Sequence, residues 1–306
     1  MSKEFNQKLP AFVEQIAANY EAEEIFFTKP GLAFPSKDSI ITFLEDMRRL
    51  IFPGYFGNES PAGLNPDYFV GQSLLALEHR LNKQVYAALA YTNNELQCNT
   101  ALQEQSDEIC LHFFEQVPII QQMLLKDVQA AFDGDPAAQS KEEVIFSYPG
   151  LYAIFVYRIA HALYEAKVPF IPRIMTEHAH SQTGIDINAG ATIGEYFFMD
   201  HGTGIVIGET TIIGNNVKIY QGVTLGALST RMGQQLSGVK RHPTIEDNVT
   251  IYSNASILGG DTVIGAGSII GGSAFIIESV PPDTRVIVHN PDLTFKGPKK
   301  DNNWEI

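Results

Sequence analysis

The sequence predicts a multidomain α+β chain: an α-helical N-terminal domain followed by a parallel β-helix of hexapeptide repeats. Three features of the residue pattern carry that expectation. From about Ser36 to Glu165 apolar residues recur at helical spacing; past Gly184 aliphatic residues recur six apart; and a glycine or another small or polar residue often follows those aliphatics. The 306 residues are enough for two domains, and a 44% hydrophobic content supplies a core to each.

The helical half shows in runs such as Ile40-Ile41-Phe43-Leu44-Met47-Leu50-Ile51 and Phe69-Leu74-Leu77-Leu81-Val85-Leu89, whose steps lay an apolar stripe along a helix. Its breaks fall at Phe52-Pro53-Gly54, Ser60-Pro61-Ala62-Gly63 and Asp133-Gly134-Asp135-Pro136, clusters that end or start helices. The expected division is a helical domain over 1–180, a β-helix over 181–288 and a flexible C-terminal tail over 289–306.

In the second half the six-residue columns run through Ile187, Ile193, Met199 and Ile205, through Ile207, Ile213, Ile219 and Leu225, and through Ile245, Ile251 and Ile257. Beyond these, two counts fit, one through Ile264, Ile270 and Ile276 and one through Val263, Ile269 and Phe275. Each flat face of such a solenoid gives one inward aliphatic and then turns a corner. Three faces make a coil of about 18 residues, and coils stack roughly 4.8 Å apart as parallel strands. A β-sandwich would alternate with period two instead. The stretch Ala227 to Pro243 interrupts the repeat with a polar, glycine-containing insertion, and loops thrown from a rigid scaffold are where binding groups are usually placed.

Composition narrows the function. Acidic residues outnumber basic ones 35 to 21, and the formal charge of -14 repels phosphate backbones and anionic headgroups. Neither nucleic acid nor a membrane surface is an expected partner. Cys98 and Cys110 are the only cysteines, too few for a disulfide framework or a four-thiolate zinc site; buried free thiols in a reducing cytoplasm are expected. Met1 to Lys8 has no signal-peptide core and no apolar run reaches membrane-spanning length, so a soluble, unexported chain is expected.

Only two histidines, His201 and His242, fall inside the solenoid, and both lie where the repeat is disturbed. A lone histidine is more often structural than catalytic. Here Asp200 flanks His201, glycines follow it, and Asp186 stands fifteen residues earlier, almost one coil away. Stacking then brings Asp186 to one imidazole nitrogen and leaves the other free to take a proton. His178 and His180 stand two apart, a spacing that suits ligands on a strand, but no third ligand is near, and structural or surface roles are expected. No metal is expected.

Several of these motifs together resemble serine O-acetyltransferase of the hexapeptide-repeat acyltransferases. They are Gly184-Ile185-Asp186-Ile187, the run from Asp200-His201-Gly202-Thr203-Gly204 to Gly208-Glu209-Thr210, Val223-Thr224-Leu225-Gly226, Arg241-His242-Pro243 and Ser279-Val280-Pro281-Pro282. Asp135-Pro136-Ala137-Ala138 and Tyr157-Arg158-Ile159-Ala160-His161 resemble the same family's helical domain. The similarity spans roughly Asp127 to Val286. It implies a left-handed β-helix, a hand that runs against the usual crossover rule, and acetyl transfer from acetyl-CoA, a co-substrate, to the hydroxyl of L-serine as the first step of cysteine biosynthesis.

The resemblance also implies residue roles. His201 corresponds to the base and Asp186 to its orienting carboxylate. Asp135, Asp200, Arg241 and His242 correspond to the groups that hold the amino acid, and Glu209 to a further acid of the site. Gly226, Ala227, Ser253 and Gly272 correspond to the coenzyme A path. Charge reading suits a small zwitterion with little apolar surface. The family implies feedback inhibition by L-cysteine and, through the terminal Ile306, insertion into O-acetylserine sulfhydrylase. Asn188 and Ala227 depart from its usual histidine and glycine. Flat-sided prisms with small outward residues pack about a threefold axis, so a homotrimer is expected, or a hexamer paired through the N-terminal helices.

Three rivals remain open. A hexapeptide acetyltransferase for a sugar or antibiotic hydroxyl would use the same base, but gives Arg241 no carboxylate to bind. A carbonic anhydrase on this scaffold needs three imidazoles on its metal. A scaffold without catalysis would not turn over acetyl-CoA.

Overall fold

The computed structural model describes residues 2–22, 31–57 and 65–289. Among the described residues seven α-helices come first: α1 Lys3–Ala22, α2 Lys37–Ile51, α3 Pro66–Asn93, α4 Thr100–Gly134, α5 Lys141–Ser147, α6 Pro149–Glu165 and α7 Ile171–Thr183. Side chains of Ser36, Asn65, Asn99 and Ser140 accept hydrogen bonds from the first-turn amides of α2 to α5, satisfying donors the helix leaves free. The stripes read from the sequence face inward: Ile40, Phe43, Leu44 and Met47 of α2 bury against Leu77, Leu81 and Val85 of α3 and Phe113 of α4.

Two helices of the expected helical domain lie outside the 36–165 stretch of helical spacing. α1 buries none of its residues and leaves Phe5, Leu9, Phe12 and Ile16 exposed. α7 carries His178 and His180, so these side chains point around a helix and the strand geometry that two-apart ligands require is absent.

After α7 the chain winds as fourteen short strands: β1 Asp186–Ile187, β2 Thr192–Ile193, β3 Phe198–Asp200, β4 Val206–Ile207, β5 Ile212–Ile213, β6 Lys218–Tyr220, β7 Thr224–Gly226, β8 Thr244–Ile245, β9 Thr250–Ile251, β10 Ser256–Leu258, β11 Val263–Ile264, β12 Ile269–Ile270, β13 Phe275–Ile276 and β14 Arg285–Val286. They stack into three parallel sheets, β1-β4-β7-β10-β13, β2-β5-β8-β11 and β3-β6-β9-β12-β14. Up to β13 each strand pairs with the one three before it, as a triangular solenoid requires, β14 pairs with β12, and Ile207, Ile213, Ile219, Leu225, Ile245, Ile251 and Ile257 are all buried in its axis.

The register settles the open count. Ser256 pairs with Phe275 and Thr244 with Val263, nineteen residues on, so Ile264 and Ile270 are buried while Phe275 lies 69% exposed. The extra residue is absorbed at the corner holding Gly259 and Gly260. The first coil is also longer than expected: Asp186 pairs with Val206, twenty residues away, because Gly202, Thr203 and Gly204 widen a corner.

A buried ion pair fastens the helices to the solenoid. Arg158 of α6 grips both Asp127 oxygens, at 2.7 and 2.8 Å, and also donates to the Ile193 and Gly194 carbonyls. Asp127 accepts the Phe197 amide as well. Burial pushes its carboxyl upward, and Arg158 opposes that push. Of the two cysteines Cys110 is buried, its thiol pushed up to about 12 by burial, whereas Cys98 is exposed, contrary to expectation.

Candidate functional site

The expected residues gather at two different edges of the prism. The first edge joins the β3-β6-β9 sheet to the β1-β4-β7 sheet and carries His201. A left-handed backbone at His201, φ 59°, turns the corner, and the imidazole is left 71% exposed. Asp200, the last residue of β3, is buried, with Oδ1 3.7 Å from His201 Nε2.

The end of α4 docks beside it. A Cβ on Gly134 would come within 2.7 Å of the Phe198 ring, so only glycine lets the helix terminus approach this closely. The next residue, Asp135, caps α4 in extended conformation. Its Oδ1 accepts the Ala137 amide at 2.8 Å and its Oδ2 accepts the Tyr148 hydroxyl at 2.6 Å. The Tyr148 bond, then the Ala137 bond, hold the Asp135 carboxyl below its ordinary range, and Lys218 and His201 add to this through space. Burial and the bond to Asp135 raise the Tyr148 phenol. The structure therefore brings Asp135, from the helices, and Asp200 and His201, from the solenoid, to one edge.

Asp186 reaches the same edge one coil below, but no hydrogen bond or ion pair within 4.0 Å joins it to His201. The widened corner accounts for this separation: it places Asp186 opposite Val206, five residues past His201. The carboxylate within ion-pair range of the imidazole is Asp200. Ser253 and Gly272 stack on this edge in later coils, where a Cβ added to Gly272 would stand 3.2 Å from the Ser253 carbonyl oxygen.

The second edge, between the β1-β4-β7 and β2-β5-β8 sheets, carries Glu209, Gly226, Ala227, Arg241 and His242. Arg241 Nη2 pairs with Glu209 Oε2, and the Tyr164 hydroxyl donates to Oε1 at 3.0 Å. Burial alone would raise the Glu209 carboxyl; the bonds from Arg241 and Tyr164 outweigh it and hold the group low. Thr210 staples the insertion down: its Oγ1 accepts the amides of Arg241 and His242 at 2.9 and 3.1 Å, and its own amide donates to His242 Nδ1 at 3.0 Å.

That last bond fixes the tautomer. With Nδ1 accepting, the neutral ring carries its proton on Nε2. Burial, then the Arg241 and Lys240 cations, bring the His242 pKa down to about 4, so at neutral pH this histidine is an uncharged donor. The ring lies against Gly208, where a Cβ would stand 2.1 Å from it.

Among known proteins, residues 70–155 match the family model described as serine acetyltransferase, N-terminal. A plasmid-borne serine acetyltransferase of Synechococcus elongatus is 44% identical over 222 residues, 70% of each chain. The chain belongs to the serine acetyltransferase family. The Bacillus subtilis serine acetyltransferase is 53% identical over 126 residues, 41% of this chain and 55% of that one. Among solved structures, Entamoeba histolytica serine acetyltransferase isoform 3 in complex with cysteine superposes with a TM-score of 0.72 at 33% identity, covering 93% of each chain. The Neisseria gonorrhoeae serine acetyltransferase in complex with serine gives 0.54 at 26% identity, covering 81% of this chain and 95% of that one. The fold shared with these serine acetyltransferases is a helical domain followed by a left-handed parallel β-helix.

Sequence reasoning missed Tyr148, Tyr164 and Lys218. None lies in a motif of its own; Tyr148 gave one faint signal, preceding the Pro149 that opens α6.

Proposed function

We propose that this chain transfers the acetyl group of acetyl-CoA to the hydroxyl of L-serine, giving O-acetyl-L-serine and CoA, the first step of cysteine biosynthesis. One observation carries the reading: Asp135 and Asp200, from two parts of the fold, converge beside an exposed imidazole, and two carboxylates suit an ammonium group held next to a base. Arg241 and the Nε2–H of His242 supply donors for the carboxylate of the same zwitterion, and a sugar has no carboxylate for Arg241 to bind.

In this mechanism His201 takes the serine hydroxyl proton as the oxygen attacks the thioester carbonyl. Amides near Gly226 and Ala227 stabilise the resulting oxyanion. Collapse breaks the C–S bond, and the His201 imidazolium returns its proton to the departing thiolate. Neither cysteine lies in the solenoid, so the transfer is direct. Asp186 stays the candidate orienter, reached when the exposed imidazole turns about its side-chain bonds. Coenzyme A runs along the first edge past Ser253 and Gly272.

Within one chain the amino-acid groups are divided between two edges. Cavities of about 330 and 350 Å³ lie at the helix–solenoid junction and among the helices, and neither is lined by His201. A neighbouring copy that sets its second edge against the first edge of this one unites the set, which is the argument for a homotrimer, or a hexamer of two trimers. The division into 1–180, 181–288 and a tail, the cytoplasmic location, and the docking of Ile306 on O-acetylserine sulfhydrylase belong to the same reading; residues 290–306 lie outside the described residues. No described helix is long and apolar enough to cross a membrane. L-cysteine, the same zwitterion with a thiol, acts as feedback inhibitor at the serine site. The test is CoA-thiol release with L-serine, homoserine, a galactoside and chloramphenicol as acceptors, repeated with added L-cysteine. Turnover confined to L-serine, with cysteine competitive against it, is expected; turnover on the sugar or the antibiotic alone contradicts the reading.

A further inference from the structure

Lys218 stands where no assigned role places a cation. It is the first residue of β6, and its Nζ donates to the Gly134 carbonyl at 2.6 Å. It also lies 3.4 Å from Asp200 Oδ2, and between the rings of Phe198 and Tyr220, at 4.9 and 4.7 Å from their centroids. It acts on Asp135 through space. Gly134 is the last residue of α4 and Asp135 the next, so one ammonium spans the helix terminus and the solenoid between the two carboxylates of the candidate ammonium site.

Two roles fit a lysine beside paired acids. In the first it competes with the substrate, occupying the place of the serine ammonium. In the second it holds the acids in place and offsets their repulsion, leaving their free lone pairs for the ligand. The contacts decide between them. Lys218 makes its hydrogen bond to a main-chain carbonyl at the negative end of the α4 dipole, and it is caged by two aromatic faces. Its approach to Asp200 is longer than a hydrogen bond, and it makes no ion pair with Asp135. Its anchor is therefore independent of the carboxylates it accompanies.

We propose that Lys218 is a positioning residue for serine binding: it docks the α4 terminus onto the solenoid and keeps the Asp135 and Asp200 side chains together as the pair that receives the serine ammonium. This rests on the serine-acetylating reading above. A cation between two acids lowers their mutual repulsion by Coulomb's law, most where solvent is partly excluded. Asp200 and Lys218 meet that condition, being 12% and 21% exposed in their side chains.

Steady-state kinetics of the full chain with Lys218→Met and Lys218→Arg, each checked by thermal melting, test the proposal. Lys218→Met raises KM for L-serine by about tenfold, the scale of one partly buried charge contact, while kcat falls by less than about threefold and KM for acetyl-CoA holds. Lys218→Arg keeps a cation at the carbonyl and between the rings, and restores most of the serine affinity. Calorimetric titration with L-serine gives the same order of affinities without turnover. Unchanged serine affinity in Lys218→Met overturns the proposal, and tighter binding overturns it in favour of the competitor role. Arg failing to rescue while the melting temperature holds also overturns it. A wild-type chain that neither binds nor acetylates L-serine refutes both this inference and the parent reading, whereas normal wild-type kinetics with an indifferent Met variant refute this inference alone.

Discussion

Tyr148→Phe is the most economical probe of the helix–solenoid junction. It deletes one oxygen, the donor to Asp135 Oδ2 at 2.6 Å, and keeps the ring. A hydrogen bond to a charged acceptor contributes about 1.5–3 kcal/mol when enclosed. Asp135 is half-buried and keeps the Ala137 amide on Oδ1, so solvent screening brings the expected loss to about 1 kcal/mol. Because 1.4 kcal/mol is a factor of ten, KM for L-serine should rise about fivefold with kcat little changed. The pH profile moves too. The Tyr148 bond is the largest of the effects that hold the Asp135 carboxyl low; without it the carboxyl protonates at higher pH, and the acidic limb of kcat/KM for serine shifts upward. Unaltered KM and an unaltered acidic limb, in a variant that melts like the wild type, would refute Asp135 as the group reading the ammonium.

Three further predictions follow from other contacts. Gly208→Ala places a methyl 2.1 Å from the His242 ring; the ring is displaced and KM for serine rises at least about tenfold, close to 1.4 kcal/mol, with stability measured alongside. Arg158→Leu leaves Asp127 buried without its partner, which costs about 3–5 kcal/mol and lowers the melting temperature by roughly 10 °C; an unshifted melting curve contradicts the buried-pair account. His242 has a folded-state pKa of about 4 against an ordinary 6.5, so the unfolded chain takes up its proton first. Its stability contribution is whole above pH 6.5 and is lost as the pH falls toward 4. His242→Gln should flatten that part of the stability-versus-pH curve measured by urea unfolding.

How far the sequence speaks differs between the two halves. Six-residue spacing names the solenoid because only its inward positions exclude water, so Ile207, Ile213 and Ile219 had to be aliphatic. The same rule is silent on corners, where residue number varies freely; hence the register beyond Ile257 stayed open until Ser256 was seen to pair with Phe275. Corner length was equally silent on the spacing at Asp186, which two added residues at Gly202–Gly204 set against Val206. Asp200, His201, Arg241 and His242 were legible because charged and imidazole groups interrupt an apolar repeat. Tyr148 and Lys218 were not, because their meaning arises only when α4 docks on β3 and β6, a contact between segments 84 residues apart. α1 lies before the stretch of helical spacing and buries none of its apolar residues.

The central claim is that the exposed imidazole of His201 is the base for serine acetylation, and His201→Ala tests it most directly. Among the described residues the side chain makes no hydrogen bond and its one ion-pair partner, Asp200, is 3.7 Å away, so its removal should leave the melting temperature within about 2 °C. With L-serine and acetyl-CoA saturating, CoA release should fall about 10²–10⁴-fold, the contribution of a positioned general base. A folded His201→Ala chain that releases CoA at the wild-type rate would contradict the account.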